Sequence, residues 1–469
     1  MLTIENILEA TGGSAAFAGV PAFSGISIDS RTTKEEDIFL ALKGENHDGH
    51  NFVRQALDKC SGVIVNRDAL CADGSIAGLR IADCESPKTV ILVPDTLKAL
   101  HAVASFLRTR FEGHVIGVVG SNGKTTTKEL SASVLGKNMK VLKTEGNLNN
   151  HIGMPLCISR LMSGTGAMVL EMGTNRPGDV AELCSIAAPD TAIITNIGYE
   201  HLEGFGSLEK VRESELEVLS HVKRVIVNAD DSFLMDGVKA RFGGQIISFG
   251  IEGESGADVF AEGIAYSDRK TLFTLCTKNG SVPIESRLPG LFNIYNSLAA
   301  AALGAALGIP INEIKAGLES FEGVSLRFKV QNIGGIILLN DVYNANPSSM
   351  DVSLNEMARL MAASQKGRSI AVLGDMLELG GFGIEAHKDI GRKLRAMHVD
   401  MLIAVGSLMM HAAEEFGSGA VCVDSSTEAA AMLSEVAREG DIVLVKGSRG
   451  MRMEKVFESA VKGGEVNAV

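Results

Sequence analysis

The chain alternates short apolar runs with longer segments of helical spacing, and most of the apolar runs stop at a polar cluster. Val115 to Val119 is β-branched and stops at Gly120-Ser121-Asn122-Gly123-Lys124-Thr125-Thr126, where a segment with helical spacing begins. Ala167 to Leu170 stops at Glu171-Met172-Gly173-Thr174, and Thr191 to Thr195 at Asn196-Ile197-Gly198-Tyr199-Glu200-His201. Arg224 to Val227 stops at Asn228-Ala229-Asp230-Asp231, and Gln245 to Phe249 at Gly250. Strands alternating with helices predict a mainly parallel, doubly wound α/β sheet, with ligands beyond the carboxyl ends of its strands. Thr271 to Thr277 and Val282 to Leu288, around Lys278-Asn279-Gly280-Ser281, predict a hairpin inserted late in this unit.

The same reading extends to both ends. Residues 1–94 predict a small α/β domain, with strands at Ile26 to Ile28, Asp37 to Ala41 and Val63 to Val65 and a helix from Phe52 to Lys59. Leu97 to Arg110 predicts a helix leading into the glycine-loop strand. An Asn-rich turn after Gly290 passes into an alanine-rich helix, and Pro310 is placed to start the next one. The pattern restarts near Phe321-Glu322-Gly323. Gly335 to Leu339 ends at Asn340-Asp341, Ser369 to Leu373 at Gly374-Asp375, Met401 to Val405 at Gly406, and Ile442 to Val445 at Lys446-Gly447-Ser448-Arg449. Three α/β domains follow: 1–94, a central doubly wound domain at 95–322 with the phosphate loop, and a Rossmann-like domain at 323–469.

Composition narrows the function. With 469 residues, 45% hydrophobic and 22% charged, the chain builds sizeable cores. A net charge of -13 argues against nucleic acid as a partner. The seven cysteines form no C-x-x-C pair, so neither a zinc site nor a disulfide framework is indicated. The N-terminus lacks the basic and apolar regions of a signal peptide. Leu298 to Ile309 falls short of the ~20 apolar residues a membrane span needs. The expectation is a cytoplasmic protein with no membrane insertion.

A strand, a glycine turn and a helix start aim backbone N–H groups at an anion. In such a loop Lys124 reaches terminal phosphates and the Thr125 hydroxyl holds Mg²⁺. The form here is G-x-x-G-K-T-T, shorter than the strict pattern, whose first glycine position is Val118. Glu171, at a strand end beside a glycine, is a carboxylate suited to a hard metal. His201 follows the next strand. Glu213, Glu215 and Glu217 lie on one helix, and residues two apart do not share a face. Solvent exposure is the plain expectation for that run. Arg327, Lys446 and Arg449 are cations suited to neutralising phosphate, and Asp341 to holding a ribose diol. The residues alone thus indicate a Mg²⁺-nucleotide enzyme working between two α/β domains.

The glycine loop, Gly146-Asn147-Leu148-Asn149-Asn150-His151-Ile152-Gly153, Glu171-Met172-Gly173 and Asn196-Ile197-Gly198 with His201 together resemble the Mur ligase family of bacterial cell-wall synthesis. Four further stretches look like its member that adds D-alanyl-D-alanine. They are Asn340-Asp341-Val342-Tyr343-Asn344-Ala345-Asn346-Pro347, Gly374-Asp375-Met376-Leu377-Glu378-Leu379-Gly380, Lys446-Gly447-Ser448-Arg449, and Asp29-Ser30-Arg31 with Asp48-Gly49-His50. The resemblance implies that the central domain is an ATPase domain binding ATP through residues Gly120, Ser121, Asn122, Gly123, Lys124, Thr125 and Thr126. It implies Mg²⁺ ligands at Thr125, Glu171 and His201, and nucleotide contacts at Asn293, Arg327 and Asp341. Substrate contacts are implied at Ser30, Arg31, Asn149, Asn150, Tyr343, Asn344 and Asn346.

The implied partners are UDP-N-acetylmuramoyl-tripeptide and D-alanyl-D-alanine, joined by a monomeric enzyme through an acyl phosphate. Lys124, His201 and Glu215 are the implied catalytic set. Two departures stand out. Relatives usually carry histidine where this chain has Phe292, beside Asn293. At the position of Glu215 they usually carry a lysine that CO₂ carbamylates into a carboxylate, so this chain is expected to supply that metal-side carboxylate unmodified. Two alternatives remain open at this point: another amide ligase of the superfamily, such as folylpolyglutamate synthetase, and a nucleotide-dependent binding protein without turnover.

Overall fold

Alternate side chains of the strand His114–Val119 part to opposite faces, Ile116 and Val118 into one buried apolar cluster and Val115 and Val119 into another. Thr165–Glu171 divides in the same way, with Ala167 and Val169 against Met168 and Leu170. A strand covered on both faces must be apolar throughout, which is why these runs are continuous rather than alternating. The first face is covered by the helices Lys124–Leu135, Leu291–Ala306 and Ile311–Glu319. The second is covered chiefly by Asp179–Ala187, Leu216–Ser220 and Ser232–Arg241.

The computed structural model describes residues 2–71, 75–76, 79–80, 88–251, 256–267, 270–363 and 367–457. Its middle sheet runs, edge to edge, Lys140–Lys143, Thr165–Glu171, His114–Val119, Thr191–Ile194, Arg224–Asn228, Gln245–Ile251, Val259–Tyr266, Thr271–Thr277 and Gly280–Ser286. All are parallel up to Val259–Tyr266, and the last two are antiparallel. Chain order reverses at His114–Val119, whose neighbours are Thr165–Glu171 on one side and Thr191–Ile194 on the other. That switch point gathers the loops after all three strands into one crevice.

Several expectations are corrected here. The late hairpin is not an insertion, because its strands extend the sheet through Val259–Tyr266. Thr277 pairs with Gly280, so the turn is Lys278-Asn279 alone and the second strand ends at Ser286 instead of Leu288. Asn293 and Asn296 lie inside the helix Leu291–Ala306, not in a preceding turn, and their side-chain amides donate to Pro289 O and Asn293 Oδ1. Pro310 caps the helix Ile311–Glu319 from outside, at φ -57 and ψ 142, rather than opening its first turn.

The N-terminal unit carries a five-stranded sheet, ordered Ser14–Phe17, Thr89–Val93, Gly62–Asn66, Asp37–Leu40 and Gly25–Ser27. The helix Thr96–Thr109 packs on this unit through Ala99, Leu100 and Val103 and on the middle unit through Ala104. The C-terminal sheet has six strands, ordered Lys329–Ile333, Ile336–Asp341, Ile442–Lys446, Ser369–Gly374, Met401–Val405 and Ala420–Val423. Only its Lys329–Ile333 edge is antiparallel. Six cysteines among the described residues are free, and Cys84 lies outside them. No helix among the described residues is long and apolar enough to cross a membrane.

Candidate active site

The three strand-end loops of the switch point face the C-terminal domain across a cleft of about 850 Å³. Its floor is the glycine loop. Gly120 and Gly123 adopt φ +115 and +83, and a Cβ on either would lie 2.3 Å from Thr195 Oγ1 or Asn296 Oδ1. Only glycine fits both demands. Among the described residues the N–H groups of Gly123, Lys124, Thr125 and Thr126 have no protein acceptor, and no side chain caps the helix they begin. Four free donors at a helix N-terminus form a cradle for phosphate oxygens. Thr125 and Thr126 line the cleft beside them.

Lys124 is folded back on this loop. Its Nζ bonds to Gly120 O, to Ser121 O at 3.3 Å and to Glu200 Oε2 at 3.4 Å. Burial weakens its hold on a proton, but the Glu200, Glu215 and Glu171 carboxylates outweigh that and raise its pKa. Glu215 is fully buried, and its Oε2 accepts the Gly120 N–H at 2.7 Å. The solvated-face expectation therefore fails for Glu215, which lies within the protein beside the loop. Its neighbours follow helical geometry. Glu213 pairs with Arg241 at the surface, and Glu217 accepts the N–H groups of Gly178 and Ala181.

Burial pushes the Glu200 carboxyl up to about 8, with Lys124 opposing and Glu215 adding. Burial likewise raises Glu215. One lysine against two carboxyls is neutral when Glu200 keeps its proton.

Glu171 is buried at its strand end. Its Oε1 accepts from Asn149 Nδ2 at 2.9 Å, while Oε2 has no hydrogen-bond partner and lies 3.8 Å from the fully buried Lys128. Oε1 of Glu200 and Oε1 of Glu215 are also unpartnered. Among the described residues no three His, Cys, Asp or Glu side chains form a closed metal cluster. Mg²⁺ asks for none, since it binds one or two carboxylates and takes its other ligands from phosphates and water. The orphaned Glu171 oxygen, with Thr125 on the same cleft, fits that ion. His201 also lines the cleft, and its Nδ1 lies 2.6 Å from Glu378 Oε2 of the C-terminal domain. Burial lowers its pKa, with Glu378 opposing.

The other expected residues divide between the cleft and the N-terminal unit. Asn293 lines the cleft but is held by Pro289 O and Asn296. Phe292 meets Phe328 edge to face at 4.9 Å between ring centroids. Arg327 lines the cleft and stacks on the Tyr343 ring, 3.9 Å from its centroid. Asp341 also lines it, yet its oxygens are engaged by Lys446, by Ser353 at 2.8 Å and by the Phe328 N–H. Lys446 is thus a buried partner of Asp341, and Arg449 pairs with Glu454.

Asn149, Asn150, Tyr343, Asn344 and Asn346 all line the cleft. Asn150 Oδ1 caps the next helix through the Ile152 and Gly153 N–H groups, and Asn346 donates to Asn122 of the glycine loop at 3.3 Å. Ser30 and Arg31 are not on this cleft. Ser30 bonds to Gln55, and Arg31 is exposed and forked onto Asp29. The sequence reading assigns no role to Glu200, Lys128 or Glu378, although Glu200 stands beside His201 and Glu378 lies within the Gly374-to-Gly380 stretch.

Three family models match the chain: "Mur ligase family, catalytic domain" at residues 22–106, "Mur ligase middle domain" at 118–304 and "Mur ligase, glutamate ligase domain" at 326–449. The UDP-N-acetylmuramoyl-tripeptide--D-alanyl-D-alanine ligase of Bacillus subtilis (strain 168) is 33% identical, covering 98% of each chain. Its counterpart in Escherichia coli (strain K12) is 32% identical over 99% of each. Among solved structures, MurF from Acinetobacter baumannii aligns with a TM-score of 0.85 at 31% identity, covering 98% of this chain and 99% of that one. MurF from Thermotoga maritima in complex with ADP aligns at 0.78 and 30% identity, covering 93% and 96%.

Proposed function

The chain belongs to the Mur ligase family, and on that footing we propose that it joins D-alanyl-D-alanine to UDP-N-acetylmuramoyl-tripeptide at the expense of ATP. It is an ATP-dependent amide ligase of peptidoglycan precursor synthesis. The observation that carries this reading is the four-donor cradle with Lys124 at the floor of a cleft walled by two domains.

A carboxylate is a poor electrophile, so the tripeptide's terminal carboxylate first takes the γ-phosphoryl group. The amine of the dipeptide then attacks the acyl phosphate, and phosphate leaves. The free N–H groups of the loop hold the phosphates, and Lys124, released from Gly120 O and Glu200, follows the charge on the transferring group. Thr125, Glu171 and His201 would hold Mg²⁺, which when bound would neutralise charge on the phosphate oxygens. Glu215, through its remaining oxygen, takes the place of the carbamylated lysine of relatives.

Asn293, Arg327 and Asp341 face the nucleotide, the last through the pair it makes with Lys446. Ser30 and Arg31 take the UDP end. Asn149, Asn150, Tyr343, Asn344 and Asn346 take the peptide parts. The enzyme acts as a cytoplasmic monomer, with domains at 1–94, 95–322 and 323–469.

Phosphate release by the purified protein tests this. It should require ATP, UDP-N-acetylmuramoyl-tripeptide and D-alanyl-D-alanine together, and Lys124→Ala should abolish it while leaving UDP-precursor binding intact. Release with a folate and glutamate instead, or near-normal turnover of Lys124→Ala, would overturn the reading.

A further inference from the structure

We infer that Glu378, from the C-terminal domain, is a positioning residue that fixes the His201 ring for a cation, so that this middle-domain site is complete only when the C-terminal domain is docked. The inference rests on the reading of His201 as a cation ligand. Glu378 Oε2 lies 2.6 Å from Nδ1, and Nε2 has no partner among the described residues. With Nδ1–H donated to the carboxylate, Nε2 keeps its lone pair, the form that binds a metal. A carboxylate behind the ring is what usually sets the orientation of a ligating histidine.

The contact is built from both sides. His201 and Glu378 both hold left-handed backbones, at φ 44 and φ 63, where non-glycine residues are rare. Such strain persists only where the surroundings impose it. Here the Glu203 N–H donates to Glu378 O at 3.1 Å, and Leu202 is buried in the apolar cluster of the C-terminal domain with Met376 and Leu379. The loop carrying Glu378 is fastened on its own side as well. The Met376 N–H donates to His387 Nε2 at 2.9 Å, and the Leu377 N–H to Ser448 Oγ at 2.8 Å.

Glu378 itself is 62% exposed, and His201 is its only ion-pair partner among the described residues. A half-open carboxylate on a strained backbone adds little to the stability of its own domain. Its geometry makes sense through His201.

The test uses the full-length protein and Mn²⁺ as the probe, with free Mn²⁺ read by electron paramagnetic resonance in the presence of ADP. Glu378→Ala should weaken Mn²⁺ binding by about 10-fold or more, the range for removing such a supporting group. Glu378→Gln should recover most of that, because its amide oxygen still accepts the Nδ1–H. His201→Ala should weaken binding at least as much, and adding Glu378→Ala to it should change nothing further. Glu385→Gln, at an exposed carboxylate paired with Arg392, is the control and should match wild type.

Two outcomes overturn the inference alone: unchanged affinity in Glu378→Ala while His201→Ala is weakened, or Glu378→Gln no better than Glu378→Ala. Unchanged affinity in His201→Ala removes the ligand reading beneath it, and the inference with it.

Discussion

Replacing Glu215 by alanine, read over a Mg²⁺ series and beside Glu215→Lys with bicarbonate, separates an unmodified metal-side carboxylate from an ordinary buried acid. The side chain is fully buried, and its Oε2 takes the Gly120 N–H at 2.7 Å. Among the described residues Glu215 Oε2 is the acceptor this N–H has, within a loop that Gly120 holds at φ +115. A buried donor left unpaired costs about 1–3 kcal/mol. Lys124 also loses one of the three carboxylates that keep it charged. Taken up by the loop geometry that the transition state needs, a loss of that size lowers turnover roughly 10- to 100-fold, at about 1.4 kcal/mol per tenfold.

Glu213→Ala breaks only an exposed pair with Arg241, worth about 0–1 kcal/mol, and should stay within a few-fold of wild type. The assay is ADP release at saturating substrates over a Mg²⁺ series, where high Mg²⁺ should restore part of the Glu215→Ala loss. Wild type should not respond to bicarbonate. Glu215→Lys should be weak in CO₂-depleted buffer and improve when bicarbonate is added. Equal activity of Glu215→Ala and Glu213→Ala, or a bicarbonate requirement in wild type, refutes the reasoning.

The polar contacts that join the C-terminal domain to the loop region are few, among them Asn346 to Asn122 and Ser348 to Tyr199 O, and water can replace such bonds at little cost. Saturation with an ATP analogue and UDP-tripeptide should therefore compact the molecule in small-angle scattering, and an unchanged profile would argue against closure. His387 is fully buried, accepts the Met376 N–H at Nε2 and sits 2.6 Å from Gly383 O at Nδ1, so it must be neutral. Burial lowers its pKa in the fold below the unfolded value of about 6.5. Its contribution is therefore fully present above that pH and lost as pH falls through the folded value. Melting temperature should fall between pH 7 and 5 more steeply in wild type than in His387→Gln, and parallel slopes would exclude this residue as a source.

Much of this was legible from residue pattern because the middle sheet is buried on both faces, which leaves uninterrupted apolar runs with polar strand ends. Lys140–Lys143 escaped notice because a four-residue edge strand with lysine at each end carries little pattern. Val259–Tyr266 escaped because its pairing slips between Glu262 and Ala265, where Gly263 turns to φ +62. At the site, strand-end position pointed to Lys124, Thr125, Glu171 and His201. The occupied oxygens of Asp341 were not foreseeable, since Lys446 reaches it from a distant strand. Helical spacing separated Glu213, Glu215 and Glu217 onto different faces, yet only packing decides which face is buried. Glu378 was hidden because its meaning lies in a neighbour on another domain.

The helix Thr96–Thr109 belongs to two cores at once. Parting the N-terminal and middle units would strip this helix from one of them, exposing Leu100 and Val103, each worth about 1.5–3 kcal/mol of burial, or else its Ala104 side. On the proposal that Ser30 and Arg31 take the UDP end, the shared helix would hold that end and the phosphate cradle at a set separation. On the same proposal, a precursor whose peptide is one residue short would be anchored at its UDP end and still leave its carboxylate away from the cradle.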